Sequence, residues 1–500
     1  MIDTTYSNGW QLRIKSCFFF FALLALLTFS CRQTTEDTQE TAVNTQKSIQ
    51  SLTPLDKYVA TPDEAFEYKI VDTIAGEGHS TYVIRMVSQR WLTEAEVKDP
   101  VWWHWLTLVV PDEVQSDKGL LFIGGGSRKS EQPQAADPQI LPIAMASKTV
   151  VASLHNIPNQ TTEFVGDDYG PRVEDELIAY GWRQFLEGGA KEEDAKWLAR
   201  LPMTKAAVRA MDVITEVSGN LLESPVDQFV VAGGSKRGWT TWTTAAVDDR
   251  VIAIVPIVID MLNAVPSFQH HWRAYGFWAP AVGNYVEEGI MEWQGSQEYQ
   301  QLLGWVEPFS YRDRLDMPKL LINASGDQFF LPDSWQFYWD SLQGESHLRY
   351  VANGDHSLRD TDALESLISF YQSIVLEKAR PEFDWLVENG EIVIQVHPDN
   401  QPTAVKLWQA HNPEARDFRL ETIGPVWEAK EIPMNNDGSY RLKLETPEKG
   451  YAAFFGELSF DGSAGIPLKL STGVVVTPDV YMHEPYVSPD PKGTPLGGGK

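Results

Sequence analysis

Between residues 105 and 352 the chain alternates short, largely apolar runs with longer segments of mixed polarity. The runs Trp105 to Val110, Leu120 to Ile123, Thr149 to Leu154, Gln228 to Ala232, Val251 to Val258, Lys319 to Asn323 and Leu348 to Ala352 have strand length. Two of them, Leu120 to Ile123 and Val251 to Val258, contain no polar position at all, which is the pattern of strands buried on both faces. The stretches Lys205 to Val217, Lys236 to Ala246 and Asp362 to Leu376 between them are helix-compatible. Strands that alternate with helices predict an α/β domain whose mainly parallel sheet is covered on both sides.

Two intervals are too long to be simple connections. Asn156 to Met203 and Met261 to Pro318 each follow a predicted strand and read as cap insertions above the carboxyl ends of the sheet. The second carries His270, His271, Trp272, Trp278, Trp293 and Trp305. Such rings can line a ligand cleft or pack the cap onto the body.

Beyond residue 380 the helical intervals disappear. Glu391-Ile-Val-Ile-Gln-Val, Ala404-Val-Lys-Leu-Trp, Tyr440-Arg-Leu-Lys-Leu, Tyr451-Ala-Ala-Phe-Phe and Leu468-Lys-Leu-Ser are short strands divided by Pro, Gly, Asn and Asp. That texture predicts a β-sandwich. The last residues, Pro-Lys-Gly-Thr-Pro-Leu-Gly-Gly-Gly-Lys, predict a disordered tail.

At the other end, Arg13 and Lys15 precede an apolar run from Cys17 to Phe29, of the length of a secretory h-region and too short to span as a mature helix. Ser30-Cys31 closes it, and the polar stretch that follows matches the pattern of a bacterial lipoprotein, with Cys31 as the lipidated first residue; a plain signal peptide is the competing reading. Residues 32 to about 55 lack apolar periodicity and read as a tether. The divisions expected are therefore a signal peptide over 1–30, a tether over 31–55, an α/β domain with caps over 56–380, a β-sandwich over 381–485 and a tail over 486–500. The localisation expected is export, to the bacterial cell envelope as a lipoprotein or to the periplasm or exterior.

Charge and cysteines narrow the function classes. A formal charge of −28 argues against nucleic acid as a partner, because two polyanions repel. Membrane association would come through lipid at Cys31 rather than through surface charge. The chain has two cysteines, Cys17 and Cys31, so processing at Cys31 leaves neither a disulfide nor a thiol nucleophile in the folded part. No metal-binding motif is visible, and no metal or other cofactor is expected.

The candidate chemistry begins at Val-Val-Ala-Gly-Gly-Ser-Lys-Arg-Gly-Trp (230–239). An apolar strand meets two glycines, a serine and a helix-compatible segment, as in a nucleophile elbow. Gly233 fills the first glycine of Gly-x-Ser-x-Gly, whereas Arg237 stands at the second and Gly238 one position later. Two later strand ends carry an acid, Asp327 in Asn-Ala-Ser-Gly-Asp, and a histidine, His356 in Asn-Gly-Asp-His. Ser, Asp, His is the chain order of α/β-hydrolases. Asp260, at the end of an earlier strand, is the alternative acid. The glycines after Leu120 to Ile123, Gly125 and Gly126 among them, together with the N–H of Lys236, are the candidate oxyanion donors. Arg237 is the candidate substrate-binding residue.

The segments Gly233 to Trp242, Val255 to Asn263, Asn323 to Phe330 and Asn353 to His356 resemble the PhoPQ-activated pathogenicity-related proteins. That resemblance implies an exported α/β-hydrolase fold with an attached β domain, in a family that also includes secreted proteins with signalling roles. Gly-x-Ser-x-x-Gly with a cation after the serine is also similar to glucuronoyl esterases, which implies a uronoyl-type carbohydrate ester for Lys236 to assist. An adjacent cation can equally bind a substrate carboxylate or pair with an acidic neighbour. The expected substrates are thus small-molecule esters, carbohydrate esters or peptides, hydrolysed through an acyl-enzyme. A non-catalytic binding protein on the same scaffold is the competing class.

Overall fold

The computed structural model describes residues 52–497. The signal peptide, Cys31 and the tether as far as residue 51 lie outside the described residues. The folded part begins slightly earlier than expected, with a helix at Pro54–Ala60 closed by a capping box between Thr53 and Asp56.

Strands β1 (Glu67–Gly76), β2 (His79–Arg90) and β3 (Val101–Pro111) form an antiparallel meander, and β4 (Lys118–Ile123), β5 (Val151–Leu154), β6 (Gln228–Gly234), β7 (Val251–Ile257), β8 (Lys319–Ala324) and β9 (Ser346–Val351) follow. Their spatial order is β1-β2-β3-β5-β4-β6-β7-β8-β9, with β5 through β9 parallel to one another. This is the mainly parallel sheet that the apolar runs predict, and its order places β6, β7, β8 and β9 side by side.

Side-chain alternation explains why helices cover both faces. Along β6, Phe229 and Val231 join one core cluster, whereas Val230 and Ala232 join the other. The first cluster holds Trp239 and Trp242 from helix Lys236–Val247 and Ala206 and Met211 from helix Arg200–Leu221. The second holds Ile143 from helix Leu141–Ser147 and Phe370 and Tyr371 from helix Ala363–Val375.

The carboxyl-terminal strands are β10 (Phe383–Glu388), β11 (Glu391–Val396), β12 (Ala404–Asn412), β13 (Glu428–Glu431), β14 (Ser439–Lys443), β15 (Tyr451–Phe460), β16 (Leu468–Ser471) and β17 (Val475–Thr477). They form two layers, as a sandwich requires. One layer, β10-β11-β14, is a separate antiparallel sheet whose Ile392, Ile394 and Leu442 share a core cluster with Phe454, Leu458 and Leu470. The other layer continues the large sheet: β9 pairs with β16, and β15, β12 and β13, with β17 beside β15, extend it to fourteen strands. The buried ion pair of Arg349 on β9 with Glu457 on β15, at 2.6 Å, crosses the same junction.

The two insertions meet over the sheet. Trp182 and Phe185 from the first pack edge-on to Tyr285 and Trp305 of the second, and Glu288 accepts hydrogen bonds from both Arg172 and Arg183. The described part of the expected tail bonds to the cap. Lys492 donates its N–H to Glu292 O, Gln297 to Thr494 O and Leu496 to Gly295 O, each at 2.8–2.9 Å. Glycine and proline in this segment shape an extended strap whose backbone polar groups are met by the cap.

Candidate active site

Ser235 lies between the last residue of β6 and the first residue of helix Lys236–Val247, at φ 57° and ψ −124°. A non-glycine residue in this region is strained and is held there by its surroundings. Two glycines make the turn possible. A Cβ on Gly233 would come within 2.8 Å of Arg237 O, and one on Gly238 within 2.9 Å of Gly233 O and 3.0 Å of Ile257 O. The second glycine of the motif therefore acts from Gly238, one residue later than the usual spacing.

The acid and the histidine predicted at two further strand ends are brought together. Asp327 follows β8 and is buried, and its Oδ1 accepts the N–H groups of Phe329 at 2.7 Å and Phe330 at 3.2 Å. Its Oδ2 lies 2.8 Å from His356 Nδ1. The His356 N–H donates to Gln328 Oε1, and its ring lies 4.2 Å, centroid to centroid, from that of Phe329. Phe329 and Phe330 line a narrow cavity together with Ser235 and Lys236, so the serine and the aromatic flank of the histidine share one recess.

Asp260 is not placed to orient the histidine. It is buried at the end of β7, where Tyr338 donates to Oδ1 at 2.5 Å and Tyr350 donates to Oδ2 at 2.6 Å. Burial pushes its carboxyl up to about 8, against the opposing effect of the two tyrosine hydrogen bonds. At neutral pH it is a mostly protonated carboxylic acid inside the sheet.

Arg237 also departs from expectation. Only 12 % of its side chain is exposed; Nη2 lies 2.6 Å from Glu174 Oε1 and Nε donates to Ile157 O at 2.5 Å. A Cβ on Gly125 would lie 2.9 Å from that guanidinium. Arg237 thus ties the elbow to the glycine loop after β4 and to the first insertion, with Nε and Nη2 both taken up by the protein. The carbonyls of that loop are engaged too, Gly125 O by Asn156 N–H and Gly126 O by Gln160 Nε2. Gly125 and Gly126 stand outside the cavity lining. Lys236, at the first position of its helix, has a backbone N–H in the turn that an α-helix leaves without an internal partner. Its ammonium is committed to Glu174 Oε2 at 2.8 Å and Asp175 Oδ2 at 3.0 Å.

The cavity has room for the centres of water-sized molecules over about 40 Å³. Its walls are Trp182, Trp239, Met261 and Phe268 with the two phenylalanines, and its polar members besides Ser235 and Lys236 are Asp175, Arg200 and Tyr285. Sequence reading did not single out Arg200, Phe329 or Tyr285, because they come from segments far apart in the chain. None of the six cap residues singled out earlier lines this recess. Trp272 and Trp278 pack with Tyr486, Trp305 packs with Phe185, and His270 is buried between Asp333 and Tyr481.

The carboxyl-terminal region reaches the same turns. Leu420 N–H donates to Gly326 O at 2.9 Å, and Asn353 exchanges two hydrogen bonds with the backbone of Trp427, at 3.0 and 2.9 Å. The loops that present Asp327 and His356 are therefore braced by segments of the carboxyl-terminal region. Among the described residues, no group of three or more metal-ligating side chains is assembled.

The profile of the PhoPQ-activated pathogenicity-related proteins matches residues 55–419, and the chain belongs to that family. It is 39% identical over 432 residues to Autocrine proliferation repressor protein A of Dictyostelium discoideum, covering 82% of this chain and 86% of that one. Among solved structures it is similar to the acetyl xylan esterase from Paenibacillus sp. R4, with TM-score 0.44, 14% identity, 64% of this chain and 91% of that chain. It is also similar to a glucuronoyl esterase from Solibacter usitatus, with TM-score 0.37, 13% identity and coverages of 64% and 90%.

Proposed function

We propose that this member of the PhoPQ-activated pathogenicity-related family is an exported serine hydrolase that cleaves an ester or amide through Ser235, His356 and Asp327. The observation that carries the reading is the elbow. Ser235 is held at positive φ and lines a recess whose Phe329 ring also packs, tilted, against His356, the residue that meets Asp327 at 2.8 Å. Strain at a surface-facing serine is costly unless something is gained by presenting its hydroxyl.

In the reaction, Ser235 Oγ bonds to the substrate carbonyl carbon while His356 takes the hydroxyl proton. With Nδ1 held by Asp327, Nε2 is the nitrogen that receives it. The negative oxygen of the tetrahedral intermediate is met by the backbone N–H of Lys236, at the positive end of its helix. Collapse breaks the bond to the leaving group, which takes the proton from His356, and water then hydrolyses the acyl-serine by the same steps. Export rests on Arg13, Lys15, the apolar run and Cys31, with lipid at Cys31 as the membrane anchor.

The test is labelling of the purified protein with a fluorophosphonate. Labelling that disappears in Ser235→Ala and weakens in His356→Ala supports the reading; a folded wild type that does not label overturns it. Retention of lipid at Cys31 is checked by radiolabelled palmitate in the wild type and Cys31→Ser. A uronoyl ester has less support, because the Lys236 ammonium that would assist its oxyanion is held by two carboxylates. A second reading, a signalling protein on this scaffold, is favoured by the name of the Dictyostelium relative; it predicts biological activity that survives Ser235→Ala.

A further inference from the structure

Three cations surround the elbow, and two carboxylates balance them. Lys236 and Arg237 are paired with Glu174 and Asp175. Arg200, the third, is 3 % exposed and forms no ion pair among the described residues. Its Nη1 donates to Lys236 O at 2.9 Å, its guanidinium lies 4.4 Å above the Trp239 ring, and its Nε has no partner. Tyr285, to which its side chain is hydrogen-bonded, and Asp175 both favour its charge, yet both are already shared: Tyr285 donates to Asp175 Oδ1 at 3.0 Å, and Asp175 Oδ2 takes the Lys236 ammonium.

A buried guanidinium that lacks a carboxylate is unfavourable, and here the positive end of the elbow helix adds to the excess. An Arg remains charged even so, because its intrinsic basicity is too high for burial to neutralise it. Surface placement would have avoided the cost. The position instead sets the charge on the wall of the recess that holds Ser235, within a lining otherwise dominated by Trp182, Trp239, Met261 and Phe268. An anion entering with the substrate would complete the charge balance, and the apolar walls would strengthen the pairing by excluding water.

We propose that Arg200 is the anion-binding residue of an acyl subsite, so that the preferred substrates are esters or amides of a short acyl group ending in a carboxylate. This rests on the serine-hydrolase reading and names its substrate class. The narrow recess admits the acyl chain, and the leaving group departs away from Arg200. Hydrolysis follows the steps already described, with the distal carboxylate unchanged.

The test compares the phenyl ester of glutarate, its second carboxylate free, with the isosteric ester that bears an isopropyl group in place of that carboxylate. Uncatalysed hydrolysis of each is subtracted. Wild type is expected to favour the anionic ester by roughly thirtyfold or more in kcat/KM, and Arg200→Met to reduce that ratio at least about tenfold, with partial recovery in Arg200→Lys. If Arg200→Met does not fold, the wild-type ratio decides alone. Binding of glutarate to Ser235→Ala, read by calorimetry and lost in Ser235→Ala/Arg200→Met, tests the subsite without turnover. A fluorophosphonate-reactive protein with no preference for the anionic ester and no glutarate binding overturns this inference. Arg200-dependent glutarate binding by a protein that never labels overturns the hydrolase reading and leaves the anion site standing.

Discussion

His356 Nδ1 stands 2.8 Å from Asp327 Oδ2, whereas both oxygens of Asp260 are occupied by tyrosine hydroxyls. Two acids at the ends of neighbouring strands thus hold different positions. Asp327→Asn is expected to lower turnover by roughly 10⁴-fold, because the amide favours the wrong imidazole tautomer. Asp260→Asn is expected to keep fluorophosphonate labelling near wild type. Equal losses in both variants would contradict this assignment.

Asp260 also makes a pH prediction. Its folded pKa is raised to about 8 from an ordinary 3.8, so the folded state holds a proton that the unfolded chain releases. Stability is unaffected by this group below about 4 and declines as pH rises toward 8, where the folded carboxyl finally ionises. Asp260→Asn removes that slope. Denaturant midpoints measured from pH 4 to 9 should therefore fall less steeply in the variant than in wild type.

The elbow depends on the absence of a side chain at 238. Gly238→Ala places a methyl group against Gly233 O and Ile257 O, and overpacking of this kind costs about 1–3 kcal/mol or displaces the turn. Loss of labelling together with a lower midpoint is expected. Gly283→Ala is the control, because nothing lies within 4 Å of the added Cβ.

Bracing by the carboxyl-terminal region is tested at Asn353. Its side chain both donates to Trp427 O and accepts from Trp427 N–H, and Asn353→Ala leaves a strand-end turn untied three residues before His356. The expected effect is a lower kcat at nearly constant KM, with a stability loss of about 1–3 kcal/mol from the unpaired groups. A loss confined to KM would point instead to a role in binding.

Removal of everything beyond residue 380 should do more than delete a neighbour. It would expose the edge of β9, strip Arg349 of Glu457 and leave Tyr350 N–H without Ser471 Oγ, its partner at 2.8 Å. Arg349 would keep only Asp362, at 2.8 Å, and the open strand edge favours aggregation. The shortened chain is expected to be insoluble, which expression and sedimentation would show.

The sequence by itself determined the parts of this protein that are written locally. Apolar runs of strand length specified β4 to β9, because strands buried on both faces need no polar alternation. Glycines around Ser235 specified the turn, because only small residues permit it, and the order serine, acid, histidine followed from the strand ends. Tertiary structure decided what depends on neighbours distant in the chain. It selected Asp327 over Asp260, since both end apolar strands and only packing shows which faces His356. It moved Arg237 from substrate to scaffold, placed Arg200 on the wall of the recess, and joined the carboxyl-terminal strands to the large sheet through β9 and β16. The tail, whose glycines and prolines suggest disorder in isolation, is held because the cap supplies partners for its backbone. Such pairings join residues hundreds of positions apart, and no local pattern of polarity encodes which of them will meet.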